Sequence, residues 1–394
     1  MTATRGHAAA HLHRIGNLTG LRVPPSLLHQ VQRVGPLESL WLVAGLAALL
    51  VASVVVAVRR HRRRAGSPGR RRWAGRAGLA AWLAALTTLT GLVGLNAYVG
   101  YIPTLPALLG QVTTSGHTGS QVVQVVIGAP ALDVPPRAAY VYLPPGYDSP
   151  ANAGRRYPVV YLLHGYPGGP LDWVRAVPAQ QLMDTMIADH LIQPMIVVAP
   201  NANGGWLQDS EMLNQVDGPQ VETYLTRTVV GYVDGHFRTV LGRAGRAIGG
   251  MSSGGYGALN LGLRHQDLYS VILSEMPYGD PGRAALALLG GSRALWAANA
   301  PDRYIPTMTF HHRMAVDLLT GIHDSQRREA AWLARMLRAR HQPAVLTMVP
   351  GAGHTWRSAG LELPYALAFA NQHLRGQRLG PLPLAKAPHP TART

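Results

Sequence analysis

Two long apolar runs stand near the start of the chain. Leu37 to Val58 covers 22 residues with one acid, Glu38, at its edge, and Ala77 to Val99 covers 23 residues with no charge. Each is long enough to cross a hydrocarbon layer about 30 Å thick as a helix, so the pattern predicts two spanning helices. Trp41, Trp73, Trp82, Tyr98 and Tyr101 lie at or near the ends of these runs, the depth that amphipathic rings favour. The first run starts too late and is too long for the core of a cleaved signal peptide, so the anchor is expected to persist.

Beyond Val99 the periodicity changes. Short apolar runs at Gln121 to Ile127, Ala139 to Leu143, Pro158 to Leu163, Pro194 to Ala199, Arg246 to Gly249 and Ser270 to Leu273 read as strands separated by longer helix-like stretches. Ala315 to Leu319 and Ala344 to Val349 read as two further strands, with a helix from Gln326 to Arg340 between them. Such alternation predicts an α/β fold whose largely parallel sheet is flanked by helices. The expected organisation is an N-terminal segment (1–36), a transmembrane hairpin (37–99), a linker (100–120), a large soluble domain (121–375) and a disordered Pro-rich basic tail (376–394).

Charge refines this picture. Residues 1–76 hold 13 Arg against the single acid Glu38, so +12 of the formal +17 sits there. Arg59, Arg60, Arg62, Arg63, Arg64, Arg70, Arg71, Arg72 and Arg76 crowd the loop between the two runs. The positive-inside rule places that loop in the cytoplasm and the soluble domain on the outer face of the cell membrane. Arg5, Arg14, Arg22 and Arg33 weaken the asymmetry. The basic excess is thus a topology signal, and no nucleic-acid partner is expected. The chain contains no Cys, which excludes disulfides, Cys-ligated zinc and a thiol nucleophile.

The chemistry concentrates in three places. Gly250-Met251-Ser252-Ser253-Gly254 is a G-x-S-x-G between a strand and the helix-like Tyr256 to Arg264. A nucleophile elbow needs small residues on both sides because its Ser sits in a strained strand-to-helix turn. Ser252 is therefore the candidate nucleophile; Ser253 fails the register, but its backbone N–H can help bind an oxyanion. Upstream, Tyr161-Leu162-Leu163-His164-Gly165-Tyr166-Pro167-Gly168-Gly169 is an apolar strand running into a Gly-rich loop, and the second oxyanion amide is assigned to Tyr166. The general base must follow a late strand: His354, in Pro350-Gly351-Ala352-Gly353-His354-Thr355-Trp356, has that placement, whereas His311, His312, His323 and His341 lack it. Asp324, just past a strand, best suits the acid that orients the imidazole, with Asp302, Asp317 and Asp280 as alternatives.

Over residues 120–372 the chain resembles the esterase D, or putative-esterase, family, which includes antigen 85 mycolyltransferases, feruloyl esterases and S-formylglutathione hydrolase. The likeness rests on Val141-Tyr142-Leu143-Pro144-Pro145-Gly146-Tyr147, the strand leading to His164-Gly165, Glu222-Thr223-Tyr224-Leu225, Gly249-Gly250-Met251-Ser252-Ser253-Gly254-Gly255 and Gly353-His354-Thr355-Trp356. The resemblance implies an α/β-hydrolase fold, a Ser252-His354-Asp324 triad and an oxyanion hole of the Tyr166 and Ser253 amides. Departures exist. Pro167 stands where mycolyltransferases carry Arg, Ala359 replaces an aromatic, and Glu275 replaces a small Ser-Gly turn, a change expected to reshape the pocket. The expected activity is hydrolysis of a small-molecule or lipid carboxylic ester by a membrane-anchored serine esterase that needs no cofactor. Acyl transfer to a sugar or lipid alcohol of the cell envelope is the first alternative, and a catalytically silent membrane scaffold the second. With only two spans and no charge pair within them, a transporter or receptor ranks last. Oligomeric state is not legible.

Overall fold

The structure, a computed structural model, describes residues 23–31, 35–63, 70–108, 119–205 and 208–375. Most of the N-terminal segment, the middle of the Arg-rich loop (64–69), residues 109–118 of the linker and the expected tail (376–394) lie outside the described residues, as does the side chain of Trp73.

Helices α1 (Leu40–Arg63) and α2 (Arg70–Val99) form the hairpin. With 24 and 30 residues they are about 36 and 45 Å long at 1.5 Å per residue, and both are long and apolar enough to cross a membrane. The first starts three residues later than the apolar run because Pro36–Glu38 forms a 3-10 turn. Both extend past the apolar runs into Arg-rich segments, since Arg is a good helix former. Their apolar surface stays open, with Trp41 88% and Leu92 60% exposed. At the far end from the arginines, Asn96 Nδ2 donates to the carbonyls of Leu37 (3.0 Å) and Ile102 (2.9 Å), while Asn96 Oδ1 accepts from Ile102 N–H (2.8 Å). This knot ties the start of α1 to the chain leaving α2.

Eight strands form one sheet: β1 (Gln121–Ala129), β2 (Val134–Leu143), β3 (Val159–Leu163), β4 (Ile196–Pro200), β5 (Arg246–Met251), β6 (Val271–Glu275), β7 (Ala315–Gly321) and β8 (Ala344–Val349). Their spatial order is β1-β2-β4-β3-β5-β6-β7-β8. β2 is antiparallel to both β1 and β4, and every other neighbouring pair is parallel. The central strands β3, β5, β6 and β7 are buried at every residue, as a parallel sheet covered on both faces requires. One face packs against α3 (Ala179–Ala188) and α6 (Trp356–His373), the other against α4 (Ser253–Arg264), α5 (Arg327–Ala339) and the irregular helix Val221–His236. The architecture is an α/β-hydrolase fold. All eight expected strands are present, each within two residues of its expected limits except β2, which starts five residues earlier. The helix after Ser252 begins at Ser253 rather than Tyr256.

Candidate active site

Parallel strands bring all the loops at their C-terminal ends to one edge of the sheet, so the turns after β3, β5, β7 and β8 meet there. The turn after β5 is the tightest. Ser252 has φ 55° and ψ −118°, a region that costs an L side chain about 1–3 kcal/mol. Its N–H donates to the Glu275 carbonyl (3.0 Å), and its own carbonyl accepts from Tyr256 N–H (2.8 Å) to open α4. A Cβ on Gly250 would lie 2.5 Å from the Leu163 carbonyl oxygen, one on Gly254 2.3 Å from the same atom, and one on Gly255 2.2 Å from the Glu275 carbonyl oxygen. The glycines are thus fixed by backbones that pass in contact.

His354 lies between β8 and α6. Its turn is held from below: Thr355 Oγ1 accepts from Ser358 N–H (3.2 Å) and Gly353 N–H donates to Ser358 Oγ (2.8 Å). His354 Nε2 is 2.9 Å from Ser252 Oγ, and Nδ1 is 3.1 Å from Asp324 Oδ2. A carboxylate can only accept, so Nδ1 carries the proton and Nε2 is left to accept from the Ser252 hydroxyl. Asp324 is fully buried, and its Oδ1 accepts from Gln326 N–H at 2.8 Å. Its loop is registered against the His354 turn by His323 N–H, which donates to the Ala352 carbonyl (3.2 Å), and by Gly321, where a Cβ would lie 2.1 Å from that same oxygen.

The loop after β3 presses against the elbow. A Cβ on Gly165 would lie 2.4 Å from Met251 Sδ and 3.5 Å from Ser252 Cβ, so Tyr166 follows directly on the point of closest approach. Ser253 is the first residue of α4, where backbone N–H groups have no partner within the helix. Two residues to which the sequence assigned no role support this loop. His164 is fully buried, with Nδ1 3.0 Å from the Gly165 carbonyl and Nε2 accepting from Ala202 N–H at 3.1 Å. Burial pushes its imidazole down to about 4 and keeps it neutral. Asp172 Oδ2 accepts from Gly169 N–H at 2.7 Å. Burial raises its carboxyl to about 6, against the lowering pull of the Gly169 N–H and the Tyr101 side chain. An acid three residues after a Gly-Gly pair was the available signal.

Beside the elbow, Ser253 Oγ donates to Asp209 Oδ1 (3.1 Å). Tyr278 Oη donates to Glu211 Oε2 (2.6 Å), and the Tyr278 ring stacks on Tyr256 at 5.0 Å. Burial, and then Asp209, push Glu211 up to about 8. Beneath the elbow lie further carboxyls. Glu275 on β6, Asp317 on β7 and Glu362 on α6 are fully buried, and among the described residues no side-chain oxygen of Glu275 or Glu362 has a hydrogen-bond partner. Burial drives both glutamates well above the usual carboxylate range, and each also feels a neighbouring carboxyl: Asp317 for Glu275, and Glu275 first for Glu362. The Glu275 side chain is buried in the core, and its carbonyl meets the elbow by accepting from Ser252 N–H.

The alternative acids lie elsewhere. Asp317 Oδ1 accepts from Thr347 Oγ1 (2.7 Å), Asp302 pairs with Arg303 (3.3 Å), and Asp280 Oδ1 accepts from Gly282 N–H (2.7 Å). His312 pairs with Asp267 (2.6 Å). Among the described residues, no group of three or more His, Asp or Glu is arranged to hold a metal ion.

Known proteins resemble parts of this chain. The chain is 30% identical over 171 residues to an uncharacterised protein of Corynebacterium glutamicum, a match covering 42% of this chain and 39% of that one. It is 31% identical over 136 residues to an endo-1,4-beta-xylanase/feruloyl esterase of Xylanibacter ruminicola, covering 34% of this chain and 18% of that one. The matches therefore span well under two thirds of these relatives. Among solved structures, a ferulic acid esterase aligns with a TM-score of 0.55 at 26% identity, covering 65% of this chain and 99% of the other. The family described as "Putative esterase" matches residues 135–360, more than half of the chain, and the protein belongs to that family.

Proposed function

We propose that the protein is a membrane-anchored serine esterase in which residues 121–375 hydrolyse carboxylic esters. One observation carries this reading: Ser252 Oγ, the His354 ring and the buried Asp324 stand in line at 2.9 and 3.1 Å. Ser252 Oγ attacks the ester carbonyl while His354 Nε2 takes its proton. Asp324 holds the Nδ1–H tautomer and faces the imidazolium that forms. The amides of Tyr166 and Ser253 receive the oxyanion. The alcohol leaves with the proton from His354, and water, activated by the same imidazole, releases the acid and restores Ser252. These groups complete the reaction without a cofactor. The feruloyl and ferulic acid esterases among the similar proteins support aromatic-acid esters as substrates to try first. Helices α1 and α2 anchor the domain, with the Arg-rich loop on the cytoplasmic side and the catalytic domain outside. Acyl transfer differs from hydrolysis only in the acceptor, an alcohol in place of water.

The test is a comparison of full-length wild type with Ser252→Ala on p-nitrophenyl and feruloyl esters, with and without sugar alcohols. Wild type is expected to turn over, and the variant to fall by about 10³-fold or more in kcat. Equal rates in both would remove Ser252 from the mechanism. A fluorophosphonate that labels wild type but not Ser252→Ala would dispose of the silent-scaffold alternative.

A further inference from the structure

The hairpin docks on the catalytic edge of the domain. Arg357 Nη2 donates to the carbonyl of Ala97 near the end of α2 (3.1 Å) and pairs with Glu38, at the start of α1, at 3.5 Å. Gly100, with φ +69°, passes so close that a Cβ there would lie 2.8 Å from Arg357 Cβ. Tyr101 places its ring 6.4 Å from that of Trp356, which in turn meets Trp173 edge-on at 5.4 Å. Tyr101 also hydrogen-bonds Asp172, the carboxyl that holds Gly169 in the loop after β3. The end of α2 therefore touches both the segment that carries His354 and the loop that carries Tyr166.

This docking sets a height. Arg357 lies three residues after His354, so their Cα atoms are at most about 11 Å apart. The apolar run of α2 ends at Val99, and the aromatic residues at this end, Trp41 and Tyr98, are 88% and 74% exposed, as headgroup-level side chains are. The Arg-rich ends of both helices lie at the opposite end of the hairpin, some 36 Å away for a helix the length of α1. Ser252 Oγ, 2.9 Å from His354 Nε2, therefore lies near the end of the hairpin that is away from the arginines.

We propose that the substrate is a lipid carboxylic ester resident in the same bilayer as the hairpin. Its carbonyl meets Ser252 at headgroup depth, and Arg357, Glu38 and Tyr101 act as positioning residues that fix this height. The proposal rests on the esterase and membrane-anchor reading above and adds the substrate class. In the reaction the Ser252 Oγ–acyl bond forms, the lipid C–O bond breaks, the alcohol takes the Ser252 proton through His354, and water then frees the fatty acid.

The test uses full-length protein reconstituted in phosphatidylcholine vesicles with 4-methylumbelliferyl palmitate, either in the same vesicles or in separate ones, and p-nitrophenyl acetate as a soluble reference. The same-vesicle rate is expected to exceed the separate-vesicle rate about tenfold or more, because tethering raises the effective concentration. Arg357→Ala should bring the same-vesicle rate down toward the separate-vesicle rate while acetate hydrolysis and vesicle flotation persist. Equal palmitate rates in the two arrangements, with acetate hydrolysis and flotation intact, would overturn the substrate assignment alone. A same-vesicle advantage untouched by Arg357→Ala would overturn the positioning role. Acetate hydrolysis insensitive to Ser252→Ala, or protein that does not float with vesicles, would overturn the underlying reading and the proposal with it.

Discussion

Ser252 holds a positive φ because three backbones converge on its turn, and the surrounding glycines show how little room is left. Gly254→Ala would drive a methyl to 2.3 Å from the Leu163 carbonyl oxygen, where the obstacle is strand backbone that cannot step aside. We expect a loss of at least about 3 kcal/mol, read as a lowered denaturant midpoint. Glu211 makes a different demand. Its folded value of about 8 lies above the ordinary 4.5, so the folded chain keeps a proton that the unfolded chain has released. Stability therefore falls as pH rises from about 4.5 to about 8 and levels off above. Glu211→Gln should flatten that slope and leave the variant more stable than wild type at pH 9, with little difference at pH 4. Asp317, raised to about 7 by burial, leaves part of the slope in place. A slope unchanged by the substitution would mean that Glu211 ionises freely in the fold. At this scale the G-x-S-x-G spacing made Ser252 legible, but nothing local announced Glu211, whose strong perturbation comes from burial and then from Asp209, against the lowering pull of the Tyr278 hydroxyl, all gathered by the fold.

The elements were legible where their pattern was strong. β3, β5 and β7 are short apolar runs bounded by Gly or Pro, and the sheet places their ends as the pattern implied. The start of α4 was read three residues late because Ser253-Gly254-Gly255 has poor helix propensity; the elbow forces those residues into the first turn. The loop after β3 shows what sequence could not reach. Its Gly-rich run was visible, but its supports come from across the fold, through Ala202 onto His164 and through Tyr101 onto Asp172. Asp172→Asn keeps the shape and removes the charge that holds Gly169 N–H. The expected outcome is a fall of about tenfold in kcat with KM little changed, less than the 10²–10³ seen when an oxyanion donor itself is deleted. Steady-state kinetics on a soluble ester would show this; a rise in KM alone would indicate that the loop binds substrate without touching the transition state.

For the whole molecule, the division into an apolar hairpin and an α/β-hydrolase domain could be drawn from the sequence, but their contact could not. Nothing in the sequence singled out Arg357, and only the folded chain brings it to Glu38 and the end of α2. The buried carboxyls have a further consequence at this scale. The formal charge of +17 counts every Asp and Glu as ionised, whereas Glu211, Glu275 and Glu362 favour the protonated form in the folded molecule. At pH 6 the native protein is thus more cationic than its formula, and unfolding releases these protons to the solvent. Its calorimetric unfolding enthalpy should accordingly depend on the ionisation heat of the buffer, and the slope of that dependence counts the protons the fold had withheld.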